Sequence, residues 1–305
     1  MQKVIVTGGA GFIGSHIVDR LVLDNYEVIV IDDESAESND VFYRNPNAAY
    51  HKISIEDYNG IEPLFKDVTY VFHLAAVARI QLTVDEPEKA IETNYTGTHN
   101  VLRAAKLHGV KRVMYSSTSS AYGLKNTPPL KETMQRDCLN PYSVTKVGAE
   151  DLCKMYYTLY GLETVIFRYF NVYGDRHPTK GQYAPVIGLF VRQIQEGNKM
   201  TVVGDGLQTR DYTNVSDVVD ANIAAAICTD TNVCGEIFNI GTGKNHSVLD
   251  IVDLLKPGYF EYIPARPGEA RETLADISKV QTMLNWNPKI SLEDWIANHK
   301  KEINL

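Results

Sequence analysis

A short apolar run, Val4 to Thr7, leads directly into Gly8-Gly9-Ala10-Gly11-Phe12-Ile13-Gly14, and the residues beyond it place Phe12, Ile13, Ile17 and Leu21 at helical spacing. No other feature of this chain narrows its architecture as much. A buried strand that turns through glycines into a helix brings bare backbone N–H groups to the positive end of the helix, where a pyrophosphate can sit. Gly8, Gly11 and Gly14 form a G-x-x-G-x-x-G pattern, and a side chain at any of the three would take space the ligand or the close helix packing needs. The next apolar strand, Val28 to Ile31, ends in Asp32, eighteen positions beyond Gly14. That is where an acid can hydrogen-bond the ribose hydroxyls of an adenosine. Asp32 and Asp33 would repel a 2′-phosphate, and no cation follows them before Arg44, so the expected cofactor is NAD rather than NADP.

Further short apolar runs at Val68 to Leu74, Val110 to Tyr115 and Thr164 to Tyr169 alternate with helical stretches around Ala90 to His108 and Val144 to Tyr157. Such alternation predicts an α/β fold, a doubly wound parallel sheet of Rossmann type, with a smaller C-terminal substrate lobe. Residues 1–173 are expected to form the NAD-binding part. From Gly174 the sequence turns polar and rich in glycine and proline, which marks a crossing into the second lobe. A helical pattern at Val218 to Ile227 and a strand-like Ile237 to Ile240 imply re-entry over about 215–243, leaving 174–214 and 244–305 to the second, smaller lobe.

With 305 residues, 44% hydrophobic and 22% charged, the chain has ample material for a buried core, and disorder is not a competing explanation. A net charge of -8 excludes general affinity for nucleic acid or anionic membrane, so any anion site has to be built locally. No apolar run approaches the ~20 residues of a membrane span, and Met1 is followed at once by the first strand rather than by a basic leader segment. A cytoplasmic location is the expectation. The four cysteines include no C-x-x-C pair and no ligand spacing with the eight histidines, so reduced thiols and no metal site are expected.

Tyr142-Ser143-Val144-Thr145-Lys146 is the one Y-x-x-x-K of the sequence, and on a helix its spacing sets phenol and ammonium on one face. Eighteen tyrosines make a chance match of this kind common, so position carries the weight. The motif opens a helix behind Asn140-Pro141 and follows a strand end at Tyr115-Ser116-Ser117-Thr118. A free phenol titrates near ~10, so a phenol ionised at neutral pH needs neighbouring positive charge. Thr118 could equally be a strand-end cap, Ser117 could replace it, and Asn94 could be a helix residue bonded to backbone.

Taken in order, Thr7 to Gly14, His73-Leu74-Ala75-Ala76, Ser116-Ser117-Thr118 to Tyr122-Gly123, Tyr142 to Lys146, Arg168-Tyr169-Phe170-Asn171, Arg210-Asp211-Tyr212, Asn239 to Gly243 and Arg266-Pro267-Gly268-Glu269 resemble the extended short-chain dehydrogenases, specifically the UDP-glucose and UDP-N-acetylglucosamine 4-epimerases. The resemblance covers nearly the whole chain. It implies that Tyr142 is the base, that Lys146 holds the nicotinamide ribose and lowers the tyrosine's pKa, and that Thr118 orients the sugar. It further implies NAD contacts from Gly8, Gly11, Phe12, Ile13, Gly14, Asp32, Ile55, Leu74, Ala75, Ala76, Asn94, Ser116, Tyr142, Lys146 and Tyr169. Thr118, Asn171, Arg210, Arg266 and Thr273 would bind the nucleotide sugar, the arginines because their fork suits phosphate oxygens. A homodimer through paired helices is also implied.

The implied reaction is NAD-dependent 4-epimerisation of a UDP-hexose through a 4-keto intermediate. Sugar-nucleotide dehydratases of the same superfamily carry Thr-Asp-Glu where this chain reads Thr118-Ser119-Ser120, and the related uronate decarboxylases place a glutamate in that segment. A keto-sugar reductase would use the same tyrosine and lysine, although Asp32 disfavours NADPH. A non-catalytic nucleotide sensor on this fold is the alternative from another class. Two departures from the family stand out. Its Asp-Ile near the adenine is here Ser54-Ile55, and Thr273 stands where glucose-specific epimerases carry a tyrosine, which leaves room for a 2-N-acetyl group.

Overall fold

The computed structural model describes residues 1–36, 41–179, 185–265 and 270–303. Apart from one short, exposed edge strand, the strands of the parallel sheet are buried on both faces by the helices that connect them. In chain order these are β1 (Lys3–Thr7), β2 (Glu27–Ile31), β3 (Ala49–His51), β4 (Val68–His73), β5 (Arg112–Thr118) and β6 (Glu163–Tyr169), with Ile237–Ile240 returning as β7. They form one seven-stranded sheet in the order β7-β6-β5-β4-β1-β2-β3, a Rossmann-type arrangement. The order reverses between β1 and β4, so the crevice beyond Thr7 and His73 is the topological switch point where ligands of such sheets bind.

Four helices matter for the site: α1 (Phe12–Leu23), α2 (Thr98–Leu107), α3 (Pro141–Tyr160) and α4 (Val215–Ile227). Asn140 starts α3 with a reciprocal capping pair, its side chain accepting from the Ser143 amide at 2.9 Å, and Gly161 ends it in the left-handed conformation. The helix expected over Ala90 to His108 is there without a break, but its first part, Ile91–Gly97, is wound as a π-helix before α2 begins. One face of the sheet buries Ile17, Val18 and Leu21 of α1 with Val218 and Val219 of α4; the other buries Val101, Leu102, Ala149 and Cys153. Each fully buried valine, leucine or isoleucine among them contributes roughly 1.5–3 kcal/mol.

β5 starts later and runs further than the apolar run at Val110 to Tyr115 suggests, because Ser116, Ser117 and Thr118 pair with Phe167, Arg168 and Tyr169. β3 escapes sequence reading altogether, being three residues long and partly exposed. A second core gathers Tyr173, Ile187, Phe190, Met200, Val202, Tyr212, Ile251, Val252, Leu292 and Ile296. Within the range 244–305, however, Val280, Leu284 and Trp286 pack into the core of the sheet instead, and the Trp286 indole donates to the Asp217 carbonyl at 3.0 Å. Apolar side chains with no partner in the second lobe return to the face left open beside α4.

Candidate active site

All the groups that carry chemistry stand at the C-terminal edge of the sheet, as a parallel arrangement requires. At the switch point Gly8 has φ +70°, and a Cβ on it would lie 2.7 Å from the Ala75 amide nitrogen. A Cβ on Gly14 would run into the Gly8 carbonyl, so both positions depend on the absence of a side chain. The Asp32 carboxylate accepts from the Ala10 amide at 2.9 Å and from the Glu34 amide at 2.8 Å, which fixes it beside the glycine turn. Burial pushes its pKa up, and the two amides pull it back down. Beneath this crevice the buried His73 ring bridges the Thr7 and Thr98 hydroxyls at 2.6 and 2.8 Å. Burial, with the nearby Lys146 ammonium, drives its pKa down to about 3, so it stays neutral.

Leu74, Ala75 and Ala76 follow β4 directly, and the Leu74 and Ala75 amides each lie 3.2 Å from the Thr7 hydroxyl. Asn94, on the π-helical turn, is fully buried: its Oδ1 accepts from the Val77 amide at 2.7 Å, while its Nδ2 donates to the Val77 carbonyl at 3.1 Å and to the Thr145 hydroxyl at 3.2 Å. It thereby ties the loop after β4 to the helix that bears Tyr142 and Lys146, and acts as a brace. Ile55 is buried as well, with its side chain in the core and its carbonyl accepting from Asn100 at 3.1 Å. Phe12 and Ile13 open α1 half-buried beside the glycine turn.

The first turns of α3 bring Tyr142 and Lys146 against the end of β5. Lys146 is buried, with its Nζ 4.3 Å from the centroid of the Tyr115 ring. Burial lowers its pKa to about 7, against the opposing pull of Cys153 and Glu150. Burial raises the Tyr142 phenol, and its hydrogen bond with the Thr118 side chain partly offsets this. Thr118 caps the strand end as well as bonding Tyr142, since its hydroxyl also accepts from the Ser120 amide at 3.1 Å. Ser117 does not substitute for it, because its hydroxyl donates to Glu150 at 2.6 Å on the far side of the strand. The Ser116 hydroxyl lies 3.0 Å from that of Tyr169, which also accepts from Asn222 at 2.8 Å.

Sequence reasoning missed two groups. Glu150 is fully buried and accepts from Nε and Nη2 of Arg168, at 2.9 and 2.7 Å, as well as from Ser117; it lies one helical turn beyond Lys146, a spacing that was visible but gave no hint of its partners. Asp211 accepts from the Thr242 amide and hydroxyl at 2.8 and 2.7 Å, from Gly243 at 3.0 Å and from Ala275 at 3.1 Å, knotting three loops together.

That knot places the residues expected to bind substrate. Asn171, with φ +23°, donates to the Asp211 carbonyl at 2.9 Å and reaches the Thr273 hydroxyl at 3.4 Å. Arg210 donates to the Thr209 carbonyl at 2.9 Å and, with Asn171, lines a cleft of about 340 Å³ whose other walls include Val186, Phe190, Val203 and Tyr212. Arg266 lies outside the described residues. Among the described residues all four cysteines are free thiols, and no helix is long and apolar enough to cross a membrane.

Over residues 4–241 the chain matches the NAD dependent epimerase/dehydratase family. It superposes on a UDP-glucose 4-epimerase of Thermotoga maritima, solved with UDP-glucose, at a TM-score of 0.92, with 37% identity over 99% of this chain and 100% of that one. A UDP-N-acetylglucosamine 4-epimerase of Methanobrevibacter ruminantium, solved with UDP-N-acetylmuramic acid, gives a TM-score of 0.91 with 33% identity over 99% and 98% of the two chains. A UDP-N-acetyl-alpha-D-glucosaminuronate decarboxylase of Bacillus cytotoxicus is 36% identical over 96% of this chain and 94% of its own. The glycine turn with Asp32 and the pair Tyr142 and Lys146 stand together at the crevice end of the sheet. The protein is an NAD-dependent enzyme of the nucleotide-sugar epimerase/dehydratase family.

Proposed function

We propose that the protein interconverts C4 epimers of a UDP-hexose, UDP-glucose with UDP-galactose and UDP-N-acetylglucosamine with UDP-N-acetylgalactosamine. One observation carries this reading: Tyr142, hydrogen-bonded to Thr118 and one turn from buried Lys146, faces a strand end whose next residues are Ser119 and Ser120 rather than acids. A base and an orienting hydroxyl suffice to take the proton of a secondary alcohol. Elimination or loss of a carboxylate needs a further acidic group in that segment, and residues 116–123 contain none.

NAD⁺, when bound along the glycine turn and Asp32, supplies the acceptor for the C4 hydride and the means of returning it. Tyr142 takes the hydroxyl proton and gives it back, so no proton need be exchanged at carbon. Burial favours phenol and neutral amine in the protein's own field. Phenolate and ammonium hold the same number of protons, with one moved from oxygen to nitrogen. Positive charge arriving with the ligand selects that second arrangement without net uptake of protons. Asn171 and Arg210 grip the nucleotide and its diphosphate in the second-lobe cleft while the 4-ketohexose turns over, and Arg266 is assigned to the same task.

The test is turnover of UDP-glucose and UDP-N-acetylglucosamine in deuterated water without reductant. The expected product is the 4-epimer with no deuterium on carbon. Isotope at C2, C3 or C5, net consumption of reduced nicotinamide, or carbon dioxide released from a UDP-uronate would each overturn it; the last is the chemistry of the Bacillus relative. Thr273 sits against Asn171 and is expected to admit the N-acetyl group. Thr273→Tyr should therefore lower kcat/KM on UDP-N-acetylglucosamine by about tenfold or more relative to UDP-glucose, the scale at which a small pocket discriminates. An unchanged ratio defeats this assignment.

A further inference from the structure

Beside the ribose acid Asp32 lies a charge arrangement that the cofactor contacts do not use. Glu34, with φ +57° and a side chain only 13% exposed, accepts from the Arg44 guanidinium, through a 3.1 Å bond from Nε and a second, shorter one, and meets Lys52 Nζ at 3.1 Å. These two cations hold its carboxyl below the usual range. Both stand close to the adenosine end of the crevice. Lys52 follows His51, whose carbonyl accepts the Asp32 amide at 3.2 Å, and Arg44 follows Tyr43, whose amide donates to the Ala10 carbonyl of the glycine turn at 3.0 Å. Arg44 and Lys52 are themselves well exposed, at 53% and 66%, and Arg44 also lies 5.4 Å over the Tyr50 ring.

We propose that Glu34 is a specificity residue that masks Arg44 and Lys52. It holds the two cations that would otherwise attract a 2′-phosphate, so NADP meets the carboxylates of Asp32 and Asp33 with no compensating positive charge. Asp32 supplies the attraction for a free ribose hydroxyl, and Glu34 removes the attraction for its phosphorylated form. Discrimination thus has two parts, and the second is a pair of charges tied up rather than absent. The charges facing the site are Asp32, Asp33 and Glu34 against Arg44 and Lys52; Arg176, which stacks 5.0 Å over the Tyr43 ring, is held by Asp19 at 2.7 Å.

The experiment equilibrates the enzyme with equal concentrations of NAD and NADP, denatures it, and measures the ratio of released nucleotides by chromatography. Glu34→Gln should move the bound ratio toward NADP by about fivefold, the scale of a partly exposed ion pair. Arg44→Gln together with Lys52→Gln, at exposed positions the fold tolerates, should move it the other way by baring Glu34. Adding those two changes to Glu34→Gln should cancel the gain. The same ratio in Glu34→Gln as in the native protein overturns the proposal, as does an equal loss of both nucleotides, which would mark the carboxylate as structural only.

Discussion

Lys146 is a buried amine whose pKa falls to about 7 from the 10.5 of a free lysine, and that difference has a sign for stability. Between those values the unfolded chain holds a proton that the folded chain does not, so this group's contribution to stability rises with pH across roughly 7 to 10.5 and is flat and unfavourable below. Replacing it with methionine, similar in shape and uncharged, removes the penalty. Lys146→Met without nucleotide should be more stable than the native protein by on the order of a few kcal/mol at pH 6, with the gap closing toward pH 10, in denaturant titrations at each pH. A gap that does not change with pH would show that the amine is not desolvated. The same variant should have almost no turnover in an epimerase assay. Neighbouring hydroxyls separate in a similar way. Thr118→Val should cut kcat about a hundredfold through Tyr142 with little loss of stability. Ser117→Ala leaves a bond to buried Glu150 unmade and should cost about 1–3 kcal/mol with kcat nearly unchanged. Reversal of those two results would exchange their roles.

The elements differ in how far sequence could foretell them. A strand buried on both faces is a run of apolar residues, and a glycine turn is written in consecutive positions, so β1, α1, β2 and Asp32 could be read directly. Tyr142 and Lys146 share a helix face by spacing alone. What could not be read is whatever depends on which strands lie side by side. Ser117 meets Glu150 only because β5 runs on beside β6 under α3, and Asp211 meets Ala275, sixty-four positions away, through two loops with no periodic pattern. Nor did the helical stretch at Ala90 to His108 reveal its π-helical turn, since i→i+5 pairing is a choice of backbone hydrogen bonds that no residue type in Ile91–Gly97 marks. That turn is what points Asn94 inward to Val77 and Thr145. Asp211 offers the sharper test at this scale. Its two oxygens take four donors, and Asn in its place presents an amide to at least one of them. Asp211→Asn should lose about 2–4 kcal/mol and, because Asn171 hangs from the Asp211 carbonyl, raise KM for the nucleotide sugar more than it lowers kcat. If kcat falls and KM holds, the knot serves the chemistry rather than the grip.

Across the whole molecule the groups assigned to chemistry come from one chain, yet one surface is left unusually apolar. Ile91 is 53% exposed, Tyr95 40% and Val144 55%, on the π-helical turn and on α3, where the Tyr95 ring lies against Gly148 so closely that a Cβ there would stand 3.2 Å from it. Two elements in contact thus present large side chains to water on a shared face, the kind of patch that a two-fold pairing buries. The turn that exposes Ile91 and Tyr95 also carries Asn94 on its inner side, braced against the loop after β4. Pairing would press on the outside of the brace that shapes the nucleotide crevice. We propose that two copies of the chain pair through this face, so Ile91→Asp with Val144→Asp should convert a dimer to a monomer in sedimentation velocity. That monomer should turn over at close to the native rate when NAD is in excess, because no reacting group is lost, and release its nucleotide several-fold faster when NAD is withdrawn. A native protein that sediments as a monomer at micromolar concentration removes the dimer. A monomeric variant that holds NAD as long as the native protein removes the link between the two sides of the turn, and leaves the apolar patch an interface with no bearing on the site.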